Sequence, residues 1–150
     1  QRLRLVRVPL VLLVHRKSKL KSAGDLWKLD RIAEPLISLP AQESISRLFQ
    51  KGLKRRKVEW PPGIEASSLE LITRYVANGY GIGVNVNIPE AVKHPQVRVL
   101  PLDGFDPMEI VALWQGQPTP VIRAMLEVAQ NHVQQLWPQW CCHDKLKSPG

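Results

Sequence analysis

An α/β domain with a mainly parallel sheet and helices on both faces is what this sequence predicts, on three observations. Short apolar runs alternate with amphipathic segments in the order β, α, β, α, β, α, β, then β, α, the rhythm of strands joined by crossover helices. The longest apolar run, residues 8–14, has the length of a strand buried on both faces. The 150 residues are 44% hydrophobic and 23% charged, enough apolar content for one real core.

The elements follow in chain order. Residues 8–15 form the first buried strand, 18–21 a polar turn, and 25–29 one helical turn. Residues 35–39 form a second strand, closed by Pro40. Residues 44–52 make an amphipathic helix with Ile45, Leu48 and Phe49 on one face, Leu53 close by, and Gly52 as its carboxyl cap. Residues 58–66 are extended and broken by Pro61-Pro62-Gly63. Ser67-Ser68-Leu69-Glu70 is a capping box with Ser67 as N-cap: its hydroxyl accepts the Glu70 amide proton and Glu70 reaches back. Leu69, Ile72 and Val76 then recur at helical spacing, and Asn78-Gly79 ends that helix by tolerating positive φ. Residues 81–86 form a strand whose glycines allow close approach of backbone or ligand. Residues 88–92 form a short helix opened by Pro89, and 97–102 another strand. A turn cluster at 103–107 precedes a strand at 109–114. Thr119-Pro120 then supplies an N-cap and a proline at the first helical position. Ile122, Met125, Ala129, Val133 and Leu136 form one stripe of the last helix, which Pro138 stops. The final dozen residues, from 138 or so onward, are expected to be disordered.

Charge and cysteine usage exclude several classes. The formal net charge is +8, carried in clumps at 2–7, 16–21 and 51–57. No aromatic residues interleave with them as a single-strand nucleic-acid binder requires. The densest clump, Lys54-Arg55-Arg56-Lys57, reads as a solvated basic loop. No stretch reaches the roughly 18 apolar residues of a membrane span. The apolar run after Arg2, Arg4 and Arg7 meets a charged patch with no cleavage site, so it is not a signal peptide. Cys141 and Cys142 are adjacent, which disfavours a disulfide and fits a reduced, cytoplasmic protein. With His143 and Asp144 they lack the spacing of a structural zinc site, so no metal and no cofactor is expected. Asp25, Asp30, Glu34 and Glu43 form no catalytic pair, and no Gly-x-Ser-x-Gly elbow occurs. His15, His94, His132 and His143 lie far apart. The glycines of Gly79-Tyr80-Gly81-Ile82-Gly83 precede or lie in a strand, unlike those of a dinucleotide fingerprint. An enzyme is therefore not expected.

Four stretches together resemble the effector-binding region of LysR-type transcriptional regulators. They are the strand at 9–15 followed by Lys19-Leu20, with Ser18-Lys19 where the family has His-Pro; Asp25-Leu26 with 35–38; Phe49 with Gly52; and Glu65-Ala66-Ser67-Ser68, Leu71-Ile72 and 76–83. The last, a V-A-x-G-x-G-I-G pattern, is the most specific. The match covers about residues 5–130. It implies a periplasmic-binding-protein type II-like fold of two Rossmann-like lobes with effector in the cleft between them. It further implies lobe one and a hinge at 1–9, an effector-binding lobe two at 10–101, a hinge at 102–107, the returning strand and helix of lobe one at 108–137, and a tail at 138–150. DNA would be contacted only through an N-terminal helix-turn-helix outside this chain, which is expected to be a fragment. Homo-oligomers would form in the full-length protein, pairing lobe one of one chain with lobe two of another. A fragment of this kind is expected to be poorly stable alone or to associate.

A sensor of small molecules needs aimed polar groups at the carboxyl ends of parallel strands, where helix starts offer free amides to anions. Ser38, Gln42 and Ser44 after one strand, and Ser67 and Ser68 after another, are the candidate effector-binding residues. A small organic anion is the expected effector. The competing function is a solute-binding protein of a transport system on the same fold.

Overall fold

The computed structural model of the protein describes residues 1–146. It contains β1 (Arg2–Val8), β2 (Leu10–His15), α1 (Gly24–Trp27), β3 (Leu36–Ser38), α2 (Ser44–Arg55), β4 (Pro62–Glu65), α3 (Leu69–Ala77), β5 (Ile82–Val86), α4 (Pro89–Val92), β6 (Val97–Pro101), β7 (Met108–Leu113) and α5 (Pro120–Leu136). The chain divides into two compact units. One is Pro9–Met108; the other joins Gln1–Val8 to the chain from Glu109 onward.

The larger unit is built on a five-stranded sheet of order β4-β3-β5-β2-β6. β3 pairs in parallel with both β4 and β5, whereas β2 is antiparallel to both β5 and β6. Four strands therefore share one direction and β2 alone runs against them. Leu10 to Val14 of β2 are buried without exception, as a central strand covered on both faces requires. Each such side chain contributes roughly 1.5–3 kcal/mol by leaving water. Alternation sends Val11 and Leu13 to the face covered by α3 and α4, where they meet Ile37, Ala66, Ile72, Val76, Ala91 and Val92. α2 covers the opposite face with Ile45, Phe49 and Leu53. There Phe49 stacks on Phe105 and meets the edge of Trp60.

Two glycines set the helix distances. A Cβ on Gly83 would come within 2.6 Å of Ile72 and 2.9 Å of Val76, so this glycine admits α3 to the sheet, not a ligand. Gly52 does not cap α2, contrary to the sequence expectation. The helix continues to Arg55, and Gly52 is buried inside it where the Phe105 ring occupies the place of a side chain. The helix instead closes with Val58 N–H donating to Leu53 and Lys57 N–H to Lys54, while Lys57 adopts φ 57°. A left-handed residue that is not glycine thus fills the usual glycine position of a Schellman ending. The clump at 54–57 is not merely solvated either. The Arg56 guanidinium donates to the carbonyls of Gly52 and Asp103 and lies 4.2 Å over the Phe105 ring.

In the smaller unit β1 pairs with β7, and Gln1 and Trp114 exchange main-chain bonds at the end of the pair. The period-two run Arg2-Leu3-Arg4-Leu5 turns Leu3 and Leu5 onto α5, where Leu126 and Val133 complete a small core with Ile122 and Ala129. The expected stripe of α5 is corrected here: Met125 and Leu136 are exposed, and Leu126 takes the inward position. The expected disordered tail is also corrected as far as residue 146. Val6 bridges Cys141, Cys142 N–H donates to Leu5, and Arg4 makes a two-pronged pair with Asp144 at 3.0 Å. Residues 147–150 of that tail lie outside the described residues.

Two outcomes follow from these contacts. Gly52→Ala should destabilise the larger unit despite its better helix propensity, because overpacking against Phe105 costs about 1–3 kcal/mol against a gain near 1 kcal/mol; urea unfolding followed by tryptophan fluorescence measures the difference. Arg4, through its hydrogen bonds and charge, holds the Asp144 carboxyl below the ordinary carboxylate range. The folded value is depressed, so the contribution is present above the unfolded pKa of about 3.9 and is lost as pH falls through the folded value. The protection factor of Cys142 N–H against hydrogen exchange should therefore fall in acid, and Asp144→Asn should remove that pH dependence.

Candidate functional site

The parallel pairing of β3 with β4 brings the carboxyl ends of both strands to one edge of the sheet. The Ala66 amide donates to the Ser38 carbonyl at 2.9 Å, extending the ladder just past both strands. α2 and α3 each begin within six residues of that bond, so both helix starts open at the same edge.

The two starts are built differently. α2 follows a turn in which Glu43 N–H donates to Pro40 at 2.9 Å. Its N-cap is Glu43, in extended conformation and with no side-chain cap. The first-turn amides at 44–46 therefore have neither a helical nor a side-chain acceptor. Beneath them the Ser46 hydroxyl donates to Leu39 at 2.7 Å, and the Ser38 hydroxyl donates to the same carbonyl at 3.1 Å. α3 is closed by Ser68, whose hydroxyl accepts the Leu71 amide at 3.2 Å. The capping box expected on Ser67 is thus displaced by one residue. Ser68 is the one in extended conformation (φ −149°, ψ 160°), which aims its hydroxyl at the third amide of the helix.

Of the five residues picked from sequence, Gln42, Ser44 and Ser67 are exposed at this edge, and Ser68 is half-buried as the cap. Ser38 is buried, with 2% of its surface accessible, and serves the turn beneath. Arg47 donates to the Ser44 hydroxyl at 3.4 Å, so a guanidinium stands beside the α2 start. Asn85 was not among the residues picked. It is fully buried in β5 and donates to the Leu69 carbonyl at 3.0 Å and to Thr73, while its own oxygen accepts the Val86 amide. Thr73 donates onward to Ala91 at 2.6 Å. This network pins the first turn of α3 to β5. Its signal in the sequence is an asparagine between two valines in a strand otherwise wholly apolar, since a buried amide persists only where it is bonded.

An open depression of about 1560 Å³ lies at the opposite ends of the same strands. Pro35, Leu36 and Gly63 at the starts of β3 and β4, the two tryptophans Trp27 and Trp60, and Lys54 and Lys57 line it. None of the five candidate residues borders it. It faces the carboxyl end of α2, where the helix dipole already has Lys54 and Arg55 as partners.

A mixed sheet in which β3 pairs in parallel on both sides, with two helix starts at one carboxyl edge, is an arrangement in which open α/β domains bind ligands. The chain belongs to the LysR substrate binding domain family, whose model matches residues 1–134. Among solved structures it is similar to the CcmR regulatory domain of Synechocystis PCC6803 in complex with 2-PG, with 19% identity, a TM-score of 0.72, and coverage of 91% of this chain and 68% of that one. It is similar to the OxyR C206 mutant of Corynebacterium glutamicum, with 16% identity, a TM-score of 0.71, and coverage of 91% and 44%. It is also similar to the effector binding domain of QuiR in complex with shikimate, with 16% identity, a TM-score of 0.70, and coverage of 90% and 66%. The chain thus spans about two thirds of the two effector domains and less than half of the OxyR chain. At these identities the likeness speaks for the periplasmic-binding-protein type II-like fold. No curated protein matches the sequence. Among the described residues, no helix is long and apolar enough to cross a membrane.

The displaced cap is directly testable. Ser68→Ala should cost about 1 kcal/mol of stability, the usual value of a lost N-cap, and Ser67→Ala less than about 0.5 kcal/mol. Paired urea titrations of the two variants give the comparison.

Proposed function

We propose that this chain is the ligand-sensing part of a LysR-type transcriptional regulator and that it binds a small organic anion at the carboxyl edge of β3 and β4. The observation that carries this reading is the Ala66-to-Ser38 main-chain bond, which sets the starts of α2 and α3 at one sheet edge. Gln42, Ser44 and Ser67 offer exposed polar groups there; Ser68 fixes the second helix start, and Ser38 supports the turn under the first. Free first-turn amides and the Arg47 guanidinium favour negative charge. The similar domains are named with the small ligands 2-PG and shikimate, which supports a small-molecule effector.

The family match favours a regulator over a transport-type solute-binding protein. Binding, not catalysis, is the proposed activity, since the edge presents no acid, base or nucleophile in paired geometry. In the complete regulator, residues 1–9 are proposed as the end of lobe one and a first hinge, 10–101 as lobe two, 102–107 as a second hinge, and 108–137 as the returning part of lobe one. Contact with DNA falls to a helix-turn-helix of the longer protein, which is proposed to work as a homo-oligomer in the cytoplasm. A ligand shifts such a regulator only through its different affinities for the two states.

Isothermal titration of a full-length regulator carrying this sequence, against a panel of carboxylates with neutral and cationic analogues, tests the reading. At least one carboxylate should bind, and Ser44→Ala and Gln42→Ala should each weaken it about 10-fold or more, the roughly 1.5–3 kcal/mol of one hydrogen bond to a charged group. Binding by neutral or cationic compounds alone would refute it.

A further inference from the structure

The depression at the amino ends of β3 and β4 lies wholly within the larger unit, and its walls are of two kinds. One is apolar and rich in flat rings, with Trp27, Leu29, Pro35 and Pro61. Trp60 adds only an apolar edge, because it is nearly buried and its indole N–H already donates to the Glu34 carbonyl at 2.9 Å. The other wall is the end of α2 and the chain just after it, with Lys51, Lys54, Arg56 and Lys57. With Arg31 these cations outnumber the carboxylates of the lining, which are Asp30, Glu34 and Glu59.

The cations differ in what they have left to offer. Arg56 is spent on two carbonyls and the Phe105 ring. Lys51 faces Asp106 at 3.4 Å. Lys54 offsets the dipole of α2. Lys57 lies beyond the helix and joins no ion pair among the described residues. It is also the one residue other than glycine with positive φ among the described residues. Glycine would take that conformation without steric cost. A lysine there is a local cost to the fold, and costs of this kind gather where a side chain serves a ligand.

We propose that this depression is a second ligand site, separate from the edge where α2 and α3 begin, and that it takes a small aromatic anion. The flat body lies against Trp27 and the two prolines, and one carboxylate or similar group meets Lys57 and Lys54. Three features select this chemistry. The cationic surplus attracts negative charge, whereas the three carboxylates of the lining repel a polyanion such as a nucleic acid. An indole face favours an aromatic body beyond the area it buries. The depression is open and exceeds the roughly 300–1,000 Å³ of ordinary small-molecule pockets, so the ligand fills only the part beside Lys57.

Isothermal titration of the 150-residue chain with naphthoate, and with the neutral naphthamide, tests the site. Naphthoate should bind, and naphthamide should bind about 10-fold more weakly or less, as the loss of a charged hydrogen-bonding group requires. Trp27→Ala should weaken naphthoate at least about 5-fold. Lys57→Gly separates a ligand role from a structural one. It should raise the midpoint of urea unfolding, because glycine relieves the left-handed backbone, and yet weaken naphthoate about 10-fold. Lys57→Arg should keep the affinity within about 3-fold, since the charge remains. An absence of binding up to about 5 mM overturns the proposal, as does equal affinity for naphthamide. So does a Lys57→Gly variant that binds as tightly as the wild type or unfolds more easily. Naphthoate binding that Ser44→Ala abolishes and Lys57→Gly leaves intact also overturns it, and assigns the anion to the start of α2. Failure of the effector reading at that edge leaves the response of naphthoate to Lys57→Gly unaltered, so the two proposals fall separately.

Discussion

Parallel pairing of β3 on both of its sides is the constraint from which the site follows. β3 is only three residues long, but it is buried throughout and bonded to β4 and β5. In a parallel pair the following connections must leave from the same edge, so α2 and α3 cannot begin anywhere else. An antiparallel β3 would have sent one helix start to each end of the sheet. The reversed strand β2 does not disturb this, because it lies beyond β5 and carries no candidate residue. Its role is to bury five successive apolar residues that anchor both faces of the larger unit.

Much of the architecture was legible in the chain. Helix starts marked by a proline or a capping serine were placed within a residue, as at Thr119-Pro120 and at α3. What escaped was decided by contacts distant in sequence. Gly52 has the position and type of a carboxyl cap, and only Phe105, fifty-three residues on, explains why it is interior. Lys57 takes the left-handed place with no hint in its residue type. β1 is different, because its alternation of arginine and leucine was visible; the arginines drew the reading toward a basic clump. The ordering of residues 140–146 depends on Arg4 meeting Asp144, a separation of 140 residues that no local pattern reveals. The four candidate serines and Gln42 were chosen by position after strands, which is why they gather at one edge of the sheet. The choice passed over Asn85, whose contribution runs through buried bonds.

The net charge of +8 is a poor guide to any one surface. Several of the cations are committed internally. Arg56 holds two carbonyls and an aromatic ring, Arg98 holds the carbonyls of Ser18 and Leu20 at 2.8 and 2.7 Å, and Lys51 and Arg55 face Asp106 at 3.4 Å. Exposed pairs such as these last two add little to stability. Arg56 and Arg98 instead cap loops whose carbonyls would otherwise lack partners. Composition therefore overstates how much positive charge is free to meet a ligand or a nucleic acid.

The two helix starts differ in what they can still bind, and this sharpens the proposed orientation of the effector. At α3 the Ser68 hydroxyl satisfies one amide and Glu70 already sets a negative charge in the first turn. A second anion there would meet that carboxylate. At α2 no acidic residue occupies the first turn, no side chain caps it, and Arg47 stands one turn in. Glu43 is the opposing element, a carboxylate at the N-cap itself. Its side chain is exposed and makes no cap, so water screens it, whereas the amides at 44–46 are fixed in direction by the helix. Fixed donors outweigh a screened and mobile carboxylate. On the proposed reading the effector's negative group is seated at the α2 start, and its neutral part reaches toward Ser67 and the capped start of α3.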